Sequence, residues 1–506
     1  MIGGRELESR SKKLKDELIS YIERIKTQMP VDFFTIVNPT VICNPYVSDF
    51  ALKFFQREAQ RKKPLLSFLR SASVFYLRQF CLFAVYIVQF VVYRAVWRRK
   101  TLPEDAIFID IFLLTDKIVS EGRFEENYFT GLYEVLEKLG VDYVFLPRIY
   151  GSASKNPFKM IEFFRILRRD QREFLFEFDM LSCLDLLSIG ATIGLYPFKT
   201  LRLYRRGELS DKDAIFNAEL IVDIGRQSFD AFSRYVYSRN IAERIERGRI
   251  YSWCEFQVVD RSFNFGIRTH NDEITLYGCQ LFLDYENYFN SVVYDIDYTQ
   301  KTSPHIVLVN GRHYLQKREL VSYRMGVSLR YRQLFERAVS TGGDSVLVLG
   351  SYNEADTKYM LKCAERLDRV MFKNHPAVDI AKLGKIDDRI ESVSDNIYDL
   401  FAKTAVVLAT ASGTAVEAVA SGVTVIVVAS RDGLTANPLV EYGKGEIWDI
   451  AFTPDEVEKV YNRLLDFRRR DAKRIEEIAL WYRDNFFVEP TEANIIKAFE
   501  LEKKDI

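Results

Sequence analysis

The chain has 506 residues, with Lys+Arg and Asp+Glu both at 71, 48% apolar residues and 28% charged ones. The length suits roughly two to four domains, and the composition excludes a disordered tail, a collagen-like fibre and a disulfide-stapled miniprotein. Because the charges cancel, no global field recruits nucleic acid, and any basic surface has to be local.

Taken in chain order, residues 1–30 predict an N-terminal helix. Arg5 to Lys26 is charged and helix-periodic, which is not the apolar core of a signal peptide. The six cysteines, Cys43, Cys81, Cys183, Cys254, Cys279 and Cys363, form no C-x-x-C, so neither a zinc site nor a disulfide framework is expected and a reducing cytosol fits.

The stretch Leu65 to Trp97 is strongly apolar and aromatic, and it is flanked by Arg61, Lys62, Lys63 and Arg70 on one side and Arg94, Arg98, Arg99 and Lys100 on the other. Its uninterrupted apolar part, Phe80 to Tyr93 apart from Gln89, is shorter than the about 20 residues that span a bilayer. A helix over 65–99 lying in the cytoplasmic leaflet suits basic groups at both ends. Two alternatives stay open: a buried core helix, and a transmembrane span from Ser71 to Tyr93, made costly by Arg78. The expected location is the cytoplasm, with peripheral attachment to the inner face of the membrane.

Beyond this segment, short β-branched or aromatic runs alternate with helical stretches, the pattern of α/β units with parallel sheets. Strands are expected at Phe33–Val37, Ala106–Leu113, Tyr143–Leu146, Tyr251–Val258, Ile274–Tyr277, Val292–Tyr294 and His305–Val309. A helix is expected at Phe124–Leu139, and an apolar helical stretch from Asp179 to Arg206. A more regular rhythm follows, with strands Ser345–Leu349, Val370–Phe372, Ala405–Ala409 and Thr424–Val428. Helices near Glu354–Arg366, Asn396–Lys403 and Thr414–Ser421 alternate with them. The fold class is therefore α/β with two Rossmann-like domains, 31–309 and 310–485, joined near Pro304–Gly311. Charged helices over Pro454–Asn485 close the second domain, and residues 486–506 return across the cleft as a C-terminal helix.

Ligands of such sheets bind beyond the carboxyl ends of the strands. There the strand Ala405–Ala409 runs into a small-residue loop that opens a helix. Gly413 permits close backbone approach, Ser412 and Thr414 supply hydroxyls for phosphate oxygens, and Glu417 stands one turn in, where a carboxylate accepts from ribose hydroxyls. The same residues also make an ordinary N-capped helix. After the Val370–Phe372 strand come Lys373, Asn374 and His375, with Pro376 starting the next element.

His375-Pro376 followed by Ser412-Gly413-Thr414 and Glu417 resembles the nucleotide half of GT-B glycosyltransferases. Within that fold it is similar to bacterial sialyltransferases, Kdo transferases and CDP-glycerol polymerases. The resemblance implies phosphate contacts for His375, Ser412 and Thr414 and a CMP- or CDP-linked sugar donor, with a UDP-linked one possible. The order YSWCEFQVVD (Tyr251–Asp260), LYGCQ (Leu276–Gln280) and PHIVLVNG (Pro304–Gly311) resembles bacterial surface-carbohydrate (O-antigen) biosynthesis proteins, a GT-B-like group.

In the first half Glu255, at a strand end, is the candidate base for the acceptor hydroxyl, or else a solvated glutamate. Asp116 and His270 are reserve candidates. Arg312, in Asn310-Gly311-Arg312, is a candidate phosphate ligand or a surface residue. Asp295-Ile296-Asp297 mimics a D-x-D metal site, yet a second Rossmann unit downstream argues for phosphate held without metal. His305 and His313 have no ligand-spaced partners.

The expected function is transfer of a sugar from a nucleotide-activated donor to a lipid-linked surface glycan, with no cofactor beyond the nucleotide-sugar substrate and no nucleic-acid partner. The alternatives are a non-hydrolysing nucleotide-sugar epimerase and a non-catalytic glycan-binding or assembly protein.

Overall fold

The computed structural model describes residues 4–45, 49–56, 64–97, 106–285, 292–340, 343–376, 378–431 and 434–501. Six parallel strands form the first sheet: β1 (Ile107–Leu114), β2 (Tyr143–Tyr150), β3 (Gly248–Trp253), β4 (Ile274–Gln280), β5 (Ile306–Val309) and β6 (Ser322–Met325), in the order β2-β1-β3-β4-β5-β6. The second sheet holds β7 (Ser345–Leu349), β8 (Val370–Lys373), β9 (Glu391–Ser392), β10 (Thr404–Ala409), β11 (Thr424–Val428) and β12 (Trp448–Ala451), ordered β12-β11-β10-β7-β8-β9. Read from its far edge, that order is the 3-2-1-4-5-6 of a dinucleotide-type Rossmann sheet. The expected class, two Rossmann-like α/β domains, is the one observed.

The second sheet is apolar on both faces because helices cover both. Leu347, Val407 and Val425 enter one core, whereas Val346, Val406 and Ile426 enter the other, the period-two alternation of a strand. The first of these cores continues into the first domain through Cys254, Phe256, Leu283, Val307 and Val309, so the two domains meet over an apolar seam.

Several expectations need correction. The domain boundary lies beyond residue 309, because β6 completes the first sheet and the crossing falls between Met325 and Ser345. Phe33–Val37 is a single π-helical turn, not a strand: the Asp32 carboxylate accepts from Phe34 and Thr35 N–H, and Phe33 stacks on Tyr235. The third strand ends at Trp253, and a helix, Val258–His270, starts where the strand was expected to finish. Val292–Tyr294 leads into the short helix Asp295–Thr299 and pairs with neither sheet. There Asp297 is buried between Lys26 (2.5 Å) and Arg261 (2.7 Å), and Asp295 accepts from the Glu319, Leu320 and Val321 amides, so the D-x-D carboxylates serve as structural anchors.

The N-terminal helix, Gly4–Gln28, lays Leu14, Leu18, Tyr21, Ile22 and Ile25 against a satellite core. At the other end, the helix Glu492–Ala498 returns to the first domain, where Ile495, Phe499 and Leu501 join its main core and the Tyr251 hydroxyl donates to the Phe499 carbonyl.

The apolar segment is one helix, Pro64–Val96, docked lengthwise on the first domain. Ala72, Phe75, Gln79, Tyr86, Phe90 and Tyr93 face inward, and Gln79 donates to the Gln227 carbonyl, Tyr86 to Glu177 and Arg94 to the Leu181 carbonyl. Its other face is open: Leu65 and Leu77 are 70% and 73% exposed. It is therefore neither a fully buried core helix nor free on all sides. Arg61 to Lys63 and Arg98 to Lys100 lie outside the described residues.

Candidate active site

The strand order of each sheet reverses once, at β1/β3 in the first and β7/β10 in the second, and such switch points open crevices at the carboxyl edge. Between the two edges lies a cleft of 1120 Å³. Loops after β7, β8 and β10 form one wall, and the loop after β3 with the Phe282–Tyr285 segment forms the other.

His375, Ser412, Gly413, Thr414 and Glu417 all line this cleft. His375 is brought in by a close approach of two loops: a Cβ on Gly350, just after β7, would stand 2.7 Å from the His375 backbone nitrogen, which only glycine avoids. Burial lowers the half-buried His375 imidazole below its ordinary pKa of 6.5, favouring the neutral ring at pH 7.

The turn after β10 is set by Ala411, which holds a left-handed φ of 47° and donates its N–H to the Ala436 carbonyl. For a residue with a Cβ that conformation costs about 1–2 kcal/mol. Phe256, beside Glu255, is the counterpart in the first domain with φ 54°. Strained residues thus flank the cleft from both sides, as they do at many functional loops. Gly413 has an ordinary helical φ of −58°, and its need for glycine is spatial: a Cβ there would stand 3.0 Å from Leu283 Cβ, across the domain seam.

Thr414 opens the helix Thr414–Ala420, and Glu417 lies in its first turn. Glu417 is buried, accepts from the Tyr398 hydroxyl at 2.6 Å, and is raised above the usual carboxylate range by burial. Lys373 lines the cleft, but its ammonium donates to the Ser394 and Asp395 carbonyls at 3.2 and 2.7 Å, tying down the next loop.

On the opposite wall, Glu255 accepts from Trp253 Nε1 at 3.2 Å and Gln257 Nε2 at 2.6 Å. Burial, aided by the Asp260 charge, raises its carboxyl above the usual range, toward the pH at which a general base works best.

The structure removes three candidates from the cleft lining. Asp116 sits in the first turn of the helix Thr115–Glu121, where Ser152 Oγ, Ser152 N–H and Ala153 N–H all donate to it. Those bonds, the Ser152 hydroxyl first, hold its carboxyl below the usual range, which makes it a poor base. His270 ends the helix Val258–His270 just before β4 begins, at the amino edge of the sheet, opposite the cleft. Arg312 donates to the Asp484 carbonyl and joins the first domain to the helix Ala472–Phe486.

Sequence reasoning missed the cleft residues Arg330, Tyr285 and Tyr398. Arg330 stacks over Trp253 and Tyr128 and lies within electrostatic reach of Glu417. No local motif marks it. Asn353, which caps the helix Glu354–Ala364, was within reach: Gly350-Ser351-Tyr352-Asn353 directly follows a strand.

No family model matches the chain, and no curated protein matches it. Solved structures to which it is similar include MurG of Acinetobacter baumannii, with 11% identity and a TM-score of 0.39 over 79% of this chain and 100% of that one. Another is the spinosyn rhamnosyltransferase SpnG complexed with thymidine diphosphate (11%, 0.40, 78% and 100%). A third is the Methanocaldococcus jannaschii UDP-GlcNAc 2-epimerase in complex with UDP-GlcNAc and UDP (11%, 0.39, 78% and 100%).

Proposed function

We propose that the protein is a glycosyltransferase that moves a sugar from a nucleotide-activated donor to a lipid-linked glycan at the membrane surface. One observation supports this above the others: His375 and the Ser412–Thr414 turn of the second domain converge with Glu255 of the first on a single cleft. A donor diphosphate fits between the hydroxyls, the imidazole N–H and the amides of Thr414 and, once the Tyr285 phenol is displaced, of Gly413, dipoles that stabilise charge as it develops. Glu417 and its Tyr398 partner supply the ribose contact. The acceptor oxygen attacks the anomeric carbon, the bond to phosphate oxygen breaks with its electron pair, and Glu255 takes the acceptor proton. Phosphate is held in this scheme without a metal. The His-Pro and Ser-Gly-Thr arrangement favours a cytidine-linked donor over a uridine-linked one.

Membrane attachment is supported by the outward face of the Pro64–Val96 helix. It continues onto the helix Cys183–Thr200, joined at Phe68–Phe198, where Leu184 and Leu187 are 75% and 70% exposed. So large an apolar surface on a soluble domain marks an interaction site.

Calorimetric titration of the full chain with CMP, CDP, UDP and GDP tests the donor site. Binding of one nucleotide, lost in Ser412→Ala/Thr414→Ala, is expected. Silence across the panel overturns the transferase in favour of a non-catalytic glycan-binding protein.

A further inference from the structure

The first domain holds a second cavity, of 500 Å³, between the Pro64–Val96 helix, the end of β2 and the start of the helix Asp230–Ala242. Its floor is polar. Arg148 is fully engaged, by Asp110, Asp260, Ser252 and the Trp253 carbonyl. Arg234 is not. Only 1% exposed, it donates from Nη2 to Asp110 at 2.9 Å, while Nε and Nη1 are buried without a hydrogen-bond acceptor among the described residues. Nη1 lies 3.7 Å from Glu177, too far for a hydrogen bond. Buried donors left in this way cost about 1–3 kcal/mol unless something fills them.

Beside Arg234 stand the Asp230 carboxylate and the Ser233 hydroxyl, with Tyr86, Tyr150 and Phe229 as aromatic walls. The floor therefore offers donors and acceptors together. Its charges also balance: Arg78, Arg148, Lys155 and Arg234 line it, against Glu177 and Asp230 with Asp110 and Asp260 behind. Such a floor suits a polyhydroxylated group, which both donates and accepts, better than a bare anion.

Along the same helix lies an apolar groove of 230 Å³, bounded by Ala84, Val88, Val92, Pro157 and Met160. Val85, Gln89, Ser154 and Lys155 line both cavities, so the two adjoin. Lys155 stands at the junction, exposed and without an ion pair among the described residues. The groove borders the open apolar face of the helix, where Val88 and Val91 are 44% and 59% exposed.

We infer that the two cavities form one binding site for a long-chain lipid phosphate carrying a sugar: chain in the groove, phosphate at Lys155, sugar over Arg234 and Asp230. This rests on the glycosyltransferase reading and names where the acceptor's lipid and the sugar next to it are anchored, apart from the residues of the donor cleft.

The test uses the full chain with phosphatidylcholine vesicles containing a diazirine-bearing polyprenyl phosphate, with cross-linked peptides mapped by mass spectrometry. Label is expected in residues 84–92 and 157–160. Val88→Trp, which fills the groove, and Lys155→Glu should each lower it about tenfold; both positions are exposed enough to tolerate the change, and nucleotide affinity should be unaltered. Unlabelled polyprenyl phosphate should compete and inorganic phosphate should not. A glycosylated polyprenyl phosphate should compete better than the bare one, and Asp230→Asn should erase that preference.

Label confined to the outward face near Leu69 and Leu77 and indifferent to both variants would mean general lipid adsorption and overturn the site. Competition by inorganic phosphate would make it a soluble-anion site, and equal competition by the two lipids would remove the sugar from the polar cavity. Failure of nucleotides to bind while this labelling holds would sink the cleft assignment alone.

Discussion

The hydroxyl of Tyr285 accepts a hydrogen bond from the Gly413 N–H at 3.1 Å, across the seam between the domains. It also reaches the Ala411 carbonyl at 3.4 Å, so a first-domain side chain occupies a backbone donor at the very turn proposed to hold phosphate. A phosphate oxygen that takes this N–H must displace the phenol. Tyr285→Phe removes the competitor, and since one neutral hydrogen bond contributes about 0.5–1.5 kcal/mol, nucleotide affinity should rise a few-fold in calorimetry. Weaker binding would instead mean that the phenol touches the ligand.

Ser412→Ala combined with Thr414→Ala removes two hydroxyls from the turn. With hydrogen bonds to a charged group contributing about 1.5–3 kcal/mol each, affinity for the bound nucleotide should fall by at least about a hundredfold. Unchanged affinity would take phosphate away from this loop.

His375 makes binding pH-dependent. Burial holds its pKa below 6.5 in the free protein, and an adjacent phosphate raises it by favouring the imidazolium. Binding therefore takes up a proton, and affinity should increase as pH falls through the window between the depressed free value and the higher bound one. Calorimetry in buffers of different ionisation enthalpy reads that proton directly, and His375→Ala should abolish it.

Glu255→Gln keeps the contacts from Trp253 and Gln257 within reach but cannot accept a proton. Transfer should slow by about 10²–10⁴-fold with donor affinity intact. Because the native carboxyl titrates above the usual range, the wild-type rate should climb with pH through that raised pKa, and the variant should lose this limb. A variant as fast as the native protein would assign the base elsewhere.

Asp297 is the counter-charge for two buried cations, Lys26 from the N-terminal helix and Arg261 from the first domain. Asp297→Asn leaves both without it, a change that typically costs about 3–5 kcal/mol. The midpoint of urea unfolding should drop accordingly. Native stability after the substitution would show that the triad contributes nothing to holding the N-terminal helix in place.

All the strands visible in the sequence except β2 are flanked by neighbours on both sides. After an initial Ser or Thr, β7, β10 and β11 are apolar runs rich in valine because parallel strands are covered on both faces. The three not foreseen, β6 (SYRM), β9 (ES) and β12 (WDIA), are all short edge strands, the first two polar as exposed edges are. Missing β6 is what misplaced the domain boundary. Phe33–Val37 misled for another reason: a five-residue apolar run has no period of its own, and the Asp32 cap and the Tyr235 ring decide its shape.

The amino-acid order by itself determined that His375 and the Ser412–Thr414 turn follow strands of one parallel sheet, since strand period, glycine and proline act within a few residues. Tertiary structure alone decided which carboxylate shares their cleft. Glu255 reaches it, whereas Asp116 is held by Ser152 and His270 stands at the opposite edge. The same is true of Tyr285 on Gly413, a contact between residues 128 positions apart. Such pairings are set by how two apolar domain faces dock, and no local pattern encodes them.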